Sequence, residues 1–153
     1  MLSRLSVAIF TAAALAVSTP GYAQKAEFGT AEEAKAMLER TVVAIKADKS
    51  KALAMINKGE GAFKDRDLYP ACSGLDGKVT AHPDKTRIGM DRNSMKDETG
   101  KAYGAEIMKV ASEGKISQVS YKFPRPGADK TPVQKVAYVT RVGNQVCLVG
   151  YYK

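Results

Sequence analysis

The sequence predicts an α+β domain built on an antiparallel sheet, and three observations carry that expectation. Residues 31–57 hold two runs of helical apolar spacing, residues 68–82 read as a hairpin, and residues 116–153 hold three β-type runs joined by turns. Helices, a hairpin, a long crossover containing a helix and a closing meander, in that order, make this fold class.

Each element has a local cause. Thr30 and Glu33 form a capping box, so a helix is expected to start at Ala31 and run to about Ala47. Met37, Leu38, Val42 and Ile45 give it one apolar stripe. A second, shorter helix is expected over residues 50–57, with Leu53 and Ile56 on one side and Gly59 and Gly61 ending it. Both stripes read as core packing. LYPACSG, the Asp76-Gly77 turn and KVTAH then form the hairpin, because Asp-Gly tolerates the positive φ angles of tight turns. Pro70 has no amide for the ladder and is expected at a bulge or on a locally unpaired side of its strand. Residues 83–101 are polar and irregular, with a turn at 97–100. Tyr103, Ile107, Met108 and Ala111 are spaced as a short amphipathic helix that Gly114 terminates. The strands ISQVSYKF, QKVAYVTRV and QVCLVGYYK follow, joined by the proline-bearing loop PRPGADKTP and by Gly143-Asn144. No internal repeat or low-complexity segment interrupts the domain.

Ahead of it stands an export signal. Arg4 supplies the only charge before residues 5–17, LSVAIFTAAALAV, an apolar run shorter than the ~20 residues that cross a bilayer and within the range of a signal h-region. Ser18, Thr19, Pro20 and Gly21 close it, and Gly21 and Ala23 occupy the small-residue cleavage positions. Residues 1–23 are therefore expected to be removed, leaving one domain over residues 24–153 that is periplasmic or secreted and no longer membrane-spanning. No cysteine follows the apolar run to take a lipid.

The chain carries a formal charge of +8, but its lysines are dispersed and export separates it from nucleic acid, so nucleic acid is not an expected partner. Two cysteines, Cys72 and Cys147, favour one disulfide in an oxidising compartment. A single histidine and no Cys-x-x-Cys pair supply neither a zinc site nor a haem attachment, and no cofactor is expected. No hydrolase motif accompanies that histidine, so catalysis is not expected either.

The motifs also form a familiar series. Asp67-Leu68-Tyr69, the DGKVTAHP of residues 76–83, the IGMD of 88–91 and the KDETGK of 96–101 are followed by YKFPRPG at 121–127, KVAYV at 135–139 and VGYY at 149–152. This order resembles the single Cache domain, type 2. The resemblance implies a PAS-like fold, with a long N-terminal helix packed on a five-stranded antiparallel sheet and a helical crossover closing a small-ligand pocket. It implies the first strand beside the last, bringing Cys72 near Cys147. It further implies an extracytoplasmic sensor for a short carboxylate such as acetate, propionate, pyruvate or lactate. Receptor-type relatives run on into a transmembrane helix where this chain stops at Lys153, so a membrane receptor or kinase partner is expected to read the bound state.

A carboxylate needs a cation or several donors and an apolar wall. His82, fixed before Pro83, matches the family's His-Pro pair, while Tyr121 and Tyr138 match its tyrosines on the two middle strands. Tyr69 is a further candidate, and Met90 a candidate apolar lid. Lys135 is the cation by motif, yet Lys135 and Tyr138 are three apart and should face opposite sides of a regular strand. With a bulge both reach the pocket; without one, Tyr138 is kept and the charge moves to Arg87 or Arg141. The alternative to a carboxylate-binding module is an exported interaction protein that keeps the fold without a working pocket.

Overall fold

The computed structural model describes residues 27–153; the expected signal and its cleavage point before Gln24 lie outside the described residues. The capping box forms as its chemistry requires. Thr30 Oγ1 accepts the Glu33 amide at 3.2 Å, and the Glu33 carboxylate accepts the Thr30 amide at 2.8 Å. Helix α1 (Ala31–Ala47) follows, burying Ala34, Met37, Leu38, Thr41 and Ile45. Thr41 joins this apolar face because its hydroxyl donates to the Met37 carbonyl at 2.8 Å and so leaves no unpaired donor. Asp48 then caps α2 (Lys49–Lys58) through the Lys51 amide, and Gly59 ends it with φ of 65°, where a side chain would be strained.

Five strands form one antiparallel sheet: β1 (Pro70–Gly74), β2 (Val79–Ala81), β3 (Ser117–Pro124), β4 (Pro132–Val142) and β5 (Gln145–Tyr152), in the order β2-β1-β5-β4-β3. The first strand therefore lies beside the last. Cys72 stands directly opposite Cys147 in that pairing, and a disulfide joins them across a Cα separation of 4.1 Å. Pro70 opens β1 opposite Val149, at the strand position where a missing amide costs least; the irregularity in the β1–β2 pairing falls instead between Cys72 and Ser73.

The crossover is more ordered than its composition implies. Residues 85–87 and 92–94 each form one 3₁₀ turn, capped by Asp84 and Asp91, before α3 (Tyr103–Val110). Helix α3 stops well short of Gly114. The chain bends away at Ala111 because the Ser112 carbonyl accepts the Arg141 amide and the Thr140 hydroxyl of β4, so sheet contacts end the helix before the glycine does.

Helices α1 and α2 cover one face of the sheet, where Met37, Leu38, Ile56, Cys72, Cys147 and Val149 form one core. Helix α3 and the crossover cover the other, over Ala71, Tyr103, Tyr121, Val139 and Leu148. Among the described residues no helix is long and apolar enough to cross a membrane.

Candidate functional site

Between the sheet and the crossover lies a cavity of about 40 Å³. Its floor is the sheet face of Ala71, Val79, Tyr121, Lys135, Leu148 and Gly150, and its wall carries Arg87, Arg92, Met95 and Tyr103. Tyr69, His82, Arg87 and Phe123 also border a wider outer groove of about 600 Å³, lined further by Arg66, Asp67, Arg125 and Tyr152. Among the described residues that line the cavity, three are cationic and none is acidic.

Lys135 is 3% exposed. Its ammonium donates to Tyr152 Oη at 3.2 Å, and the Tyr152 hydroxyl in turn donates to the Pro124 carbonyl at 2.7 Å. The ammonium also lies 4.5 to 5.3 Å from the ring centroids of Tyr152, Tyr69 and Phe123, whose negative faces favour a cation. Burial pulls its pKa down to about 8, with Asp67 opposing that shift and Arg87 adding to it.

Arg92 is 4% exposed and enters from the crossover. Its Nε donates to Ser73 Oγ at 2.6 Å, while Nη2 is buried without a hydrogen-bond acceptor. A guanidinium stays charged at any working pH, although burial lowers its pKa. Among the described residues neither Arg92 nor Lys135 makes an ion pair, whereas Arg87 lies 3.6 Å from the Asp84 carboxylate and 5.2 Å above the Phe123 ring.

His82 follows β2 directly. Its amide donates to Asn57 Oδ1, and its Nδ1 accepts the Asp84 amide at 2.9 Å. The ring proton therefore sits on Nε2, leaving one donor. Burial first, then the nearby Arg87 charge, hold the imidazole neutral with a pKa of about 4. Tyr69 meets the His82 ring edge-on at 5.1 Å, and Tyr121 stacks on Tyr103 at 4.2 Å. Burial raises the pKa of all three phenols, so they stay protonated and able to donate.

Of the residues expected from sequence, His82, Tyr121, Lys135 and Tyr69 thus converge on one cavity. Tyr138 does not join them. Strand β4 is regular, so Tyr138 points to the helix-covered face and stacks on Tyr151 at 5.7 Å. The two side chains face opposite sides, as a regular strand requires, but it is Lys135 that takes the pocket face, joined in the lining by Arg87. Arg141 shares that face, but at the far end of the strand, 3.6 Å from Glu113. Met90 is 47% exposed and outside the lining, because its carbonyl is committed to the Val79 amide on the sheet edge; Met95 supplies the apolar wall. Arg92 and Tyr103 carried no motif in the sequence.

The family model described as Single Cache domain 2 matches residues 21–151. The chain belongs to the single Cache domain 2 family. Solved structures share the fold. A methyl-accepting chemotaxis protein from Vibrio parahaemolyticus is similar at 22% identity and a TM-score of 0.65, over 79% of this chain and 86% of its own. A periplasmic sensor domain of a chemotaxis protein gives 22% and 0.58, over 79% and 88%. A Cache chemosensory domain described for its carboxylic acid recognition gives 25% and 0.57, over 79% and 86%. No curated protein matches the chain. The Cache domain is a small-ligand sensor module and not an enzyme, and among its described residues no cluster of histidine, cysteine and carboxylates is placed to hold a metal.

Proposed function

We propose that this Cache domain is an exported sensor module that binds a short monocarboxylate in the cavity between sheet and crossover. One observation carries the reading: two buried cations, Arg92 and Lys135, reach the same cavity from opposite sides, and among the described residues no acidic side chain lines it or pairs with either of them. A buried charge without a partner costs several kcal/mol, and an anionic ligand removes that cost. Cavity size supports a small ligand, since about 40 Å³ is room for roughly three or four spheres of water size at ~10–15 Å³ each. Acetate or propionate fits this better than a longer acid. Arg92 and Lys135 supply the charge, His82 Nε2 and the tyrosine hydroxyls supply neutral donors, and Phe123, Leu148 and Met95 supply the apolar wall.

The disulfide and the relatives from periplasmic sensors support a site of action outside the cytoplasm, with residues 1–23 removed on export. A membrane receptor or kinase would read the bound state. Thermal unfolding in millimolar acetate, propionate, pyruvate and lactate, each beside its uncharged amide, tests the reading. Acids should raise the melting temperature by mass action and amides should not, because charge-assisted hydrogen bonds are about twice as strong as neutral ones. Equal effects of acid and amide, or none across the panel, would replace this reading with that of an exported interaction protein.

A further inference from the structure

Gly150 stands in the middle of β5, opposite Ala137 of β4, with neither a turn nor a positive φ to require glycine there. A glycine inside a strand gives up side-chain packing and marks a close approach by something else. Here the approaching group is Lys135. A Cβ built on Gly150 would meet Lys135 Cε at 2.5 Å and its Cδ and Cγ at 3.4 Å, and no other heavy atom approaches as closely. Lys135 is paired with Tyr152, so its stem leans across β5 through the gap that Gly150 leaves. That path brings the ammonium to the Tyr152 hydroxyl and within 5.1 Å of the Tyr69 ring on the far side of β5.

We infer that Gly150 is a positioning residue for the ligand site: the absence of a side chain there holds the Lys135 stem flat on the sheet and its ammonium at the cavity. This rests on the carboxylate reading for its effect on affinity, but not for its effect on the lysine. The atom a new methyl would strike belongs to a flexible side chain and not to backbone, so Gly150→Ala should fold and push the stem off the sheet. The ammonium would then leave its aromatic surroundings for a wetter one. Its other charged and titratable neighbours are Asp67, Arg87, Arg92, His82, Tyr69, Tyr103, Tyr121 and Tyr152, and the substitution alters none of them.

The experiment has two readouts on the folded, disulfide-bonded protein. In the ligand-free state, NMR titration of the Lys135 side chain should show the amine moving toward the ordinary lysine value by about one pH unit or more in Gly150→Ala. Acetate affinity should fall about tenfold or more, and the Gly150→Ala change should have no further effect in a Lys135→Ala background. An unchanged amine titration, or equal loss of affinity with and without Lys135, overturns the inference. If wild type binds no acid of the panel, the carboxylate reading fails and the amine titration still decides the role of Gly150. Should Gly150→Ala not fold, Gly150→Ala with Lys135→Ala keeps the question open to test. Recovery of folding there supports the crossing stem, and failure shows that the glycine serves something other than Lys135.

Discussion

Arg92 and Lys135 tie function to stability in opposite directions. Arg92 is charged, buried and without a carboxylate, so replacing it with an apolar residue removes a desolvation cost while leaving the Ser73 hydroxyl unpaired. Arg92→Met should therefore leave the ligand-free protein within about 2 kcal/mol of wild type in chemical denaturation. The same variant should lose about 2 kcal/mol or more of carboxylate binding, roughly thirtyfold, by calorimetry. Retained affinity would remove Arg92 from the site. Lys135, with its pKa lowered to about 8, predicts a pH profile. The ligand anion favours the charged amine, so affinity should hold below pH about 8 and fall above it. Stability runs the other way, because the unfolded amine binds a proton that the folded one sheds between about 8 and the ordinary 10.5, so the ligand-free protein gains stability as pH rises through that window. His82 acts in the same sense at lower pH, with stability rising between about 4 and 6.5.

One turn ties the crossover to β3. Asp97 accepts the amides of Thr99 and Lys101 within the turn, and its other oxygen accepts the Lys122 amide on β3, one of the two edge strands. Lys101 reaches back to the Ser120 carbonyl of the same edge. These bonds occupy edge groups that would otherwise invite another strand, and they anchor the segment that ends in Tyr103 against the cavity. Hydrogen bonds to the ionised form lower the Asp97 pKa to about 2, the Lys122 amide contributing most. This contribution to stability is complete above the ordinary carboxylate value of 3.8 and is lost as pH falls toward 2. Asp97→Asn should loosen the turn, seen as faster amide hydrogen exchange at Lys122 and through α3, while α1 and β5 keep wild-type protection. Uniform protection would show that the turn is held by other contacts.

The disulfide connects the neighbouring strands β1 and β5 across 75 residues of chain, on the face that α1 and α2 cover. In the chain-entropy account, closing such a loop contributes on the order of 4 kcal/mol, and losses of about 2–5 kcal/mol are usual when a native bridge is removed from a small domain. Cys72→Ala with Cys147→Ala should lower unfolding free energy by that amount. The cavity lies on the opposite face, so carboxylate affinity measured well below the melting temperature should change little. A large loss of affinity would show that the bridge shapes the pocket as well as the fold.

Much of this molecule was legible without coordinates, for local reasons. Thr30 and Glu33 lie within one turn of each other, Asp76-Gly77 is its own turn, and alternation along residues 134–142 places Lys135 and Tyr138 on opposite faces whatever packs on them. Which face holds the pocket is different, because alternation is symmetric and the two sides of a sheet differ only in what covers them. The tertiary structure settled that by packing α1 and α2 against Tyr138 and the crossover against Lys135. It also ended α3 at Val110 through contacts with β4, and it brought Arg92, 43 positions from Lys135 by number, to the same cavity. Arg92 had no signal of its own in the sequence, since a basic residue in a polar loop looks like surface until a fold buries it.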